Sequence, residues 1–355
     1  MTSQERMKAF FEKGPSDSLP CIEWAHWWGL TLDRWETEGL DKKLSPKELK
    51  KSFELDFDHQ IWFRNGLGGN IPKVKEHGYI SNEADYDKIL PFLYNKQDII
   101  NMKRQFEEIH KNYEQNGDIF WFTLSGFFWF PRELFGIEDH LYSFYDCPEL
   151  YHRICRDMTE YYLFIIDEMT KYTTPLFMTF AEDMSYNLGP MLSKDTFSEF
   201  IEPYYKKIIP ALKQKGIKVI VDSDGDIAKM IPWFIESGVE GILPLERQAG
   251  VDVDKLTVEY PDFFFIGGFD KMVMKHGEEA MQREFERIYP AMRRKNYLPS
   301  VDHQTPPDVS LENYHIYLNL LKKYCLKAMN YDSVFGNDTG NNKGQPLTDC
   351  SAKSE

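Results

Sequence analysis

The chain has 355 residues, 42% of them hydrophobic, and a formal net charge of −15. That is enough apolar material for a large core, and the negative charge argues against a nucleic-acid backbone or an anionic membrane surface as partner. The five cysteines (Cys21, Cys147, Cys155, Cys325 and Cys350) show no CxxC spacing, which points away from a disulfide framework and from a thiolate zinc site. No apolar run approaches the ~20 residues of a membrane span, and residues 1–14 carry no apolar signal core. A soluble protein of the reducing cytoplasm is expected, a monomer or a homodimer.

In chain order, residues 1–18 read as an N-terminal extension. A first strand is expected at 20–24, leading into the tryptophan-rich stretch Trp24-Ala-His26-Trp27-Trp28, and a short strand at 53–57. Tryptophan buries large area wherever it lies, so this stretch is packing or an aromatic wall over a pocket. From there apolar runs predict strands at 120–124, 176–180, 217–221, 241–245, 263–266 and 297–301. Between them, spaced apolar positions predict helices at 148–170, 194–215, 227–237, 278–294 and 311–326. Strand-helix alternation of this kind builds a parallel sheet with covering helices. About eight such units over residues 19–329 close most economically into an α/β fold of the (β/α)8 TIM-barrel type. An open doubly wound sheet is the alternative, but no GxGxxG follows any strand. Residues 330–355 are rich in Asn, Gly, Asp and Ser and read as a disordered tail.

The strand ends carry the chemistry. Residue 180 is followed by Glu182 and Asp183, 221 by Asp222-Ser-Asp224-Gly-Asp226, 245 by Glu246, 266 by Gly-Gly-Phe-Asp270-Lys271, and 301 by Asp302-His303. In a barrel these ends gather at one rim. A single acid after a strand is an ordinary helix cap; five acidic strand ends around one mouth are harder to explain as caps. Asp222 and Asp224, two apart where a strand ends, project to one side. Two adjacent carboxylates require a proton, a cation or a metal ion. They are candidate metal ligands or proton-handling groups, with turn chemistry as the other reading, and Asp226 fits a plain cap. Asp270 and Lys271 are either an ion couple or substrate contacts.

These same segments resemble the uroporphyrinogen decarboxylase superfamily. The resemblance rests on Glu182-Asp-Met-Ser-Tyr-Asn-Leu-Gly-Pro-Met-Leu-Ser193, Phe200-Ile-Glu-Pro-Tyr-Tyr205, Gly267-Gly-Phe-Asp270-Lys271, and Asp302-His-Gln-Thr-Pro-Pro-Asp-Val-Ser310 running on to Glu312-Asn313. That superfamily shares a (β/α)8 barrel and holds the porphyrinogen decarboxylases and the zinc-containing methyltransferases that serve corrinoid proteins or coenzyme M. The methyltransferase branch binds zinc through His-x-Cys-Gly at a strand end and a later Cys. The matching places here are Asp222-Ser-Asp224-Gly225 and His303, so a carboxylate and imidazole set replaces the thiolates. Such a set takes zinc and also harder ions such as manganese or iron(II).

The resemblance thus implies a divalent metal, zinc foremost, held by Asp222, Asp224, Glu246 and His303. It also implies transfer of a methyl group from a small O-, N- or S-methylated substrate to a corrinoid carried by a partner protein. Asp222, Asp224, His303 and Asp58 are the candidate catalytic residues. Asp58 lies near the place where the decarboxylases carry an essential aspartate. His26, Trp27, Glu182, Asp183, Asp270 and Lys271 are the candidate substrate contacts. The decarboxylase branch clamps substrate carboxylates with an N-terminal arginine-rich segment, whereas here no arginine occurs from Leu19 until Arg34. Decarboxylation of a porphyrinogen or a smaller acid is the second expectation, and a non-catalytic ligand-binding barrel the third.

Overall fold

The computed structural model describes residues 1–66, 71 and 78–335. Seven parallel strands form one curled sheet, joined in chain order. They are β1 (Asp58–Phe63), β2 (Ile119–Ser125), β3 (Phe177–Ala181), β6 (Lys218–Asp222), β7 (Gly241–Leu243), β8 (Phe264–Phe269) and β9 (Tyr297–Val301). A small antiparallel pair, β4 (Ser185–Tyr186) with β5 (Gly189–Pro190), follows β3. Strands β2 and β8 are buried at every position, as expected for parallel strands covered on both faces. Helices such as Pro148–Met169, Glu278–Met292 and Leu311–Phe335 form the outer layer. This is the α/β barrel architecture expected from the strand-helix alternation.

The eighth stave is irregular. Residues 20–24 fill the gap between β9 and β1, but by isolated ties and not by a strand ladder. On one side, the Cys21 carbonyl accepts the Asp56 N–H at 2.9 Å and the Cys21 N–H donates to Asp56 Oδ2 at 2.8 Å. On the other side, Trp24 Nε1 donates to the Val301 carbonyl at 2.9 Å and Ser300 donates to Glu23 Oε2 at 2.9 Å. Pro20 has no N–H to contribute to a ladder. The short strand expected at 53–57 is also corrected. Phe53 closes the helix Pro46–Ser52, Glu54 turns the chain in the left-handed region (φ 53), and β1 starts at Asp58.

Other boundaries shifted for local reasons. The helix expected over 194–215 is two helices, Lys194–Phe200 and Glu202–Gln214, broken at Ile201, where Pro203 has no N–H to bond back across the turn. Strand β7 stops at Leu243 because Pro244 cannot donate to a ladder. Gly267 is required where β8 passes this turn: a Cβ there would lie 2.0 Å from the Pro244 carbonyl oxygen, and its φ is +108. The last helix runs to Phe335, beyond residue 330 where the tail was expected to begin, and residues 336–355 lie outside the described residues. No helix among the described residues is long and apolar enough to cross a membrane.

The barrel's N-terminal end is plugged by the helix Ser3–Glu12. Phe10 packs on Phe264, and Phe11 packs on both Phe177 and Phe264. Inside, Trp121 stacks on Phe177 at 4.9 Å and Thr123 hydrogen-bonds Thr179 at 2.7 Å. These interior layers close the lower end and leave the strands' C-terminal ends as the rim available for chemistry.

Glu23 is the most exposed to pH among the groups that hold the stave. It is 2% exposed, sits between β9 and the helix Leu311–Phe335, and accepts from Ser300 and Tyr314. Burial outweighs those bonds and pushes its carboxyl up to about 7. A carboxyl raised in the folded state favours folding while protonated, and that advantage is lost as pH rises from the ordinary glutamate range through about 7. Thermal stability is therefore expected to fall across that window. Glu23→Gln should flatten the fall by up to about 3 kcal/mol, read as melting temperature against pH. An unchanged pH profile in the variant would reject this assignment.

Candidate functional site

Strand pairing brings three carboxylates together. Asp222 ends β6 and pairs with Ala181 at the end of β3. The Asp222 carbonyl accepts both following N–H groups of the β3 chain, Glu182 at 2.8 Å and Asp183 at 3.4 Å. Asp183 then turns in the left-handed region (φ 43), a backbone cost that recurs at functional sites. Asp183, Asp222 and Asp224 each offer a carboxylate oxygen, and these lie within 4.8 Å of one another. Among the described residues, no hydrogen bond reaches the Asp222 carboxylate. Burial, then the charges of Asp183 and Asp224, push Asp222 well above the usual carboxylate range. Burial and Asp224 push Asp183 up to about 6. Such a group is short of positive charge.

Among the described residues, His303 and Arg132 approach it without closing on it. His303 Nε2 lies 3.6 Å from Asp224 Oδ2, and this contact raises the imidazole's pKa against the opposing effect of burial. Trp24 and Trp28 meet the His303 ring edge-to-face, with centroids at 6.2 and 6.5 Å. Arg132, from the helix Trp129–Phe135, donates Nη1–H to the Asp183 carbonyl at 3.2 Å, while its Nη2 stays 3.7 Å from the Asp183 carboxylate.

The turn after β6 is braced from both sides. Ser185 donates to the Asp224 carbonyl. The Gly225 N–H donates to Glu246 Oε2 at 3.0 Å. A Cβ on Gly225 would lie 2.7 Å from Tyr186 backbone atoms, and its φ is +84, so only glycine fits this crossing. Asp226 caps the next turn by accepting from Ala228.

The neighbouring strand ends form a separate ion network. Asp302 is fully buried and accepts from the Arg247 N–H at 3.0 Å and from both the Lys271 N–H and the Lys271 ammonium at 3.2 Å. The ammonium also donates to Gln248 at 2.9 Å and lies 3.8 Å from Glu246. Burial nevertheless raises Asp302 above the usual carboxylate range. Asp270 accepts from Gln248 and from the Met272 N–H, so it caps the turn Lys271–His276.

The candidate residues therefore fall into several places. Asp222 and Asp224 lie in one group, and His303 approaches it at Asp224. Asp183 joins the three-carboxylate group where Glu246 was expected; Glu246 instead braces Gly225 and faces Lys271. Glu182 points away from the rim: it is fully buried, takes the Phe127 and Phe128 N–H groups and the Tyr205 hydroxyl, and is pushed up to about 7 by burial. It anchors the turn after β2. Trp27 is core, packed on Trp35, Phe53 and Tyr314, while Trp24 and Trp28 take the place at the rim. Asp58 begins β1, at the opposite end of the strands, with its oxygens on Lys50 and Trp121 Nε1. It shares with His26 a side cleft of about 640 Å³ that does not include the acidic cluster. Reading acids at strand ends missed Arg132, because the chain after β2 carries no acid there; its only mark is position on the first helix beyond that strand.

The family model described as "Uroporphyrinogen decarboxylase (URO-D)" matches residues 133–324. The chain belongs to the uroporphyrinogen decarboxylase family. The matched residues include Asp183, Asp222, Asp224, Glu246, Lys271 and His303. No curated protein sequence matches the chain. Among solved structures, a methyltransferase from Methanosarcina mazei superposes with a TM-score of 0.63 at 11% identity, over 91% of this chain and 99% of that one. At that identity the likeness is one of fold. A putative vitamin-B12 independent methionine synthase from Listeria monocytogenes aligns with a TM-score of 0.42 at 12% identity, over 89% of this chain and 98% of that one.

The two clusters of this family member should respond oppositely to substitution. In metal-free protein, Asp222→Asn removes a partly buried carboxyl crowded by Asp183 and Asp224, so stability should rise at neutral pH. That gain should be small near pH 4 and grow with pH, since the raised carboxyl favours folding only while protonated. Lys271→Met should instead cost about 3 kcal/mol by leaving Asp302 buried without its ammonium. Chemical denaturation in chelator measures both, and destabilisation by Asp222→Asn would show that this carboxylate is held by an interaction of its own.

Proposed function

We propose that this protein is a metal-dependent methyltransferase. It would move a methyl group from a small O-, N- or S-methylated compound to a corrinoid carried by a partner protein. The observation that carries the reading is the convergence of Asp183, Asp222 and Asp224 at the barrel rim, with no cation among the described residues closed on them. Carboxylates crowded and partly desolvated in this way favour a divalent ion. The three oxygens make a hard donor set that suits manganese or iron(II) as well as zinc. Such an ion, when bound, supplies Lewis acidity where charge builds on the heteroatom that loses the methyl group.

The chain's own residues do the rest. His303, raised by Asp224, is placed to hold a proton for the departing heteroatom. Trp24 and Trp28 fix the imidazole and present apolar surface to a substrate. Lys271, Asp302 and Glu246 lock the turns after β7, β8 and β9 so that Gly225, and with it Asp224, keeps its place. The shared fold with a methyltransferase supports this reading as a likeness only. For a decarboxylase, Asp58 would have to act, yet Lys50 and Trp121 occupy its oxygens. Residues 23–28 also contain no arginine to pair with substrate acids.

Protein purified without chelator should hold about one divalent ion per chain and transfer methyl groups to cob(I)alamin from at least one methylated donor. Asp222→Asn and Asp224→Asn should each lower occupancy by tenfold or more, on the order of the loss when a metal site's supporting groups are removed. Elemental analysis and a cobalamin absorbance assay read these outcomes. A chain that takes up no zinc, manganese or iron(II) on titration would end the metal reading.

A further inference from the structure

Arg132 is bound by one of its nitrogens and left open at the others. Its guanidinium lies over the Trp129 ring at 4.1 Å, and its side chain is 18% exposed. Nη1 donates to the Asp183 carbonyl, which fixes the group at the edge of the carboxylate cluster. Nη2 is 3.7 Å from the Asp183 carboxylate, beyond hydrogen-bond distance. Among the described residues, neither Nε nor Nη2 has a hydrogen-bond acceptor. A guanidinium presents its donors as a planar fork that matches a carboxylate in two parallel bonds. A stacked, half-desolvated fork with free donors is therefore under-used by the protein itself.

Two other groups of this rim already face acids. The Lys271 ammonium is spent on Asp302 and Gln248, and His303 faces Asp224. Among the described residues, Arg132 keeps guanidinium donors free beside the cluster. An anion brought there would meet the charges of Asp183, Asp222 and Asp224 unless a cation already balanced them. Anion binding at Arg132 and metal binding at the three carboxylates should thus be linked.

We propose that Arg132 is a specificity-determining residue that grips a carboxylate on the methylated substrate while the metal-loaded cluster faces its methyl-bearing heteroatom. The substrate class is then a small methylated carboxylic acid and not a neutral methyl ether, amine or thioether. This rests on the metal-site reading above.

The test uses the full chain saturated with the ion it takes up, and a matched pair of probes, methoxyacetate and 2-methoxyethanol, which differ in the carboxylate. Binding is followed by calorimetry, and metal content is measured on the same samples. Methoxyacetate should bind about tenfold or more tightly than 2-methoxyethanol, the scale of a charge-assisted hydrogen-bonded pair. Arg132→Gln should close that gap by weakening methoxyacetate alone. Arg132→Lys, which keeps the charge but not the fork, should restore part of it. Metal content should stay at the wild-type level in both variants, and stripping the metal should weaken methoxyacetate in the wild-type protein.

Equal affinities in the wild-type protein, a gap that survives Arg132→Gln, or no saturable binding of methoxyacetate to metal-loaded protein would each overturn the proposal and leave the metal reading standing. A purely structural Arg132 would weaken both probes together or lower the metal content, and that too would overturn it. Failure of the wild-type chain to bind any metal would instead strike the reading on which this one rests.

Discussion

The pairing of β3 with β6 is the constraint on which the rim depends. Parallel strands in register place Ala181 beside Asp222, and the Asp222 carbonyl then holds the next two N–H groups of the β3 chain. The backbone thereby brings the carboxylates of Asp183, Asp222 and Asp224 side by side. Repulsion among them is stored in the fold because the ladder that imposes it is buried and hydrogen-bonded along its length. The left-handed turn at Asp183 is part of the same arrangement, since it aims that side chain back toward Asp222 and not outward into water.

Around this strained centre the protein uses its remaining charges as braces. Lys271 ties the end of β8 to Asp302 after β9, and Glu246 after β7 carries the tie across to the Gly225 turn after β6. Glu182, the immediate neighbour of Asp183, faces the other way and fastens the turn after β2 through Phe127 and Phe128. Two adjacent acids thus have opposite duties. One is sealed into the wall with its hydrogen bonds complete, and the other is left at the surface short of partners. The difference arises just past the strand end, where Asp183 turns in the left-handed region and Glu182 does not.

The barrel also tolerates an imperfect seam. Residues 20–24 complete the ring through Glu23, Trp24 and Cys21 without a ladder. Such a stave is held by a handful of specific bonds and not by a repeating backbone pattern, so it depends on the protonation of Glu23 in a way the ladder strands do not. The same segment brings Trp24 and Trp28 against His303. The least regular part of the wall is therefore the part that shapes the aromatic side of the site.

The order of strands and helices from residue 119 onward, and the acids at five strand ends, were legible from the sequence because buried parallel strands are continuous apolar runs and their ends must carry polar residues. Asp222, Asp224 and His303 could be named for that reason. Strand β1 could not, since Asp58 and Gln60 are polar residues satisfied by nearby Lys50 and by Trp121 and Thr123 from the next strand. The direction of a side chain was also hidden: Glu182 and Asp183 look alike in sequence, Trp27 looks like Trp24 and Trp28, and Glu246 looks as eligible a ligand as Asp183. Local pattern determined which elements exist and where polar residues must surface. The register between strands, the turn that flips Asp183, and the approach of Arg132 from another helix are long-range events, and only the folded structure decided which of those polar groups meet and which are spent on holding the barrel together.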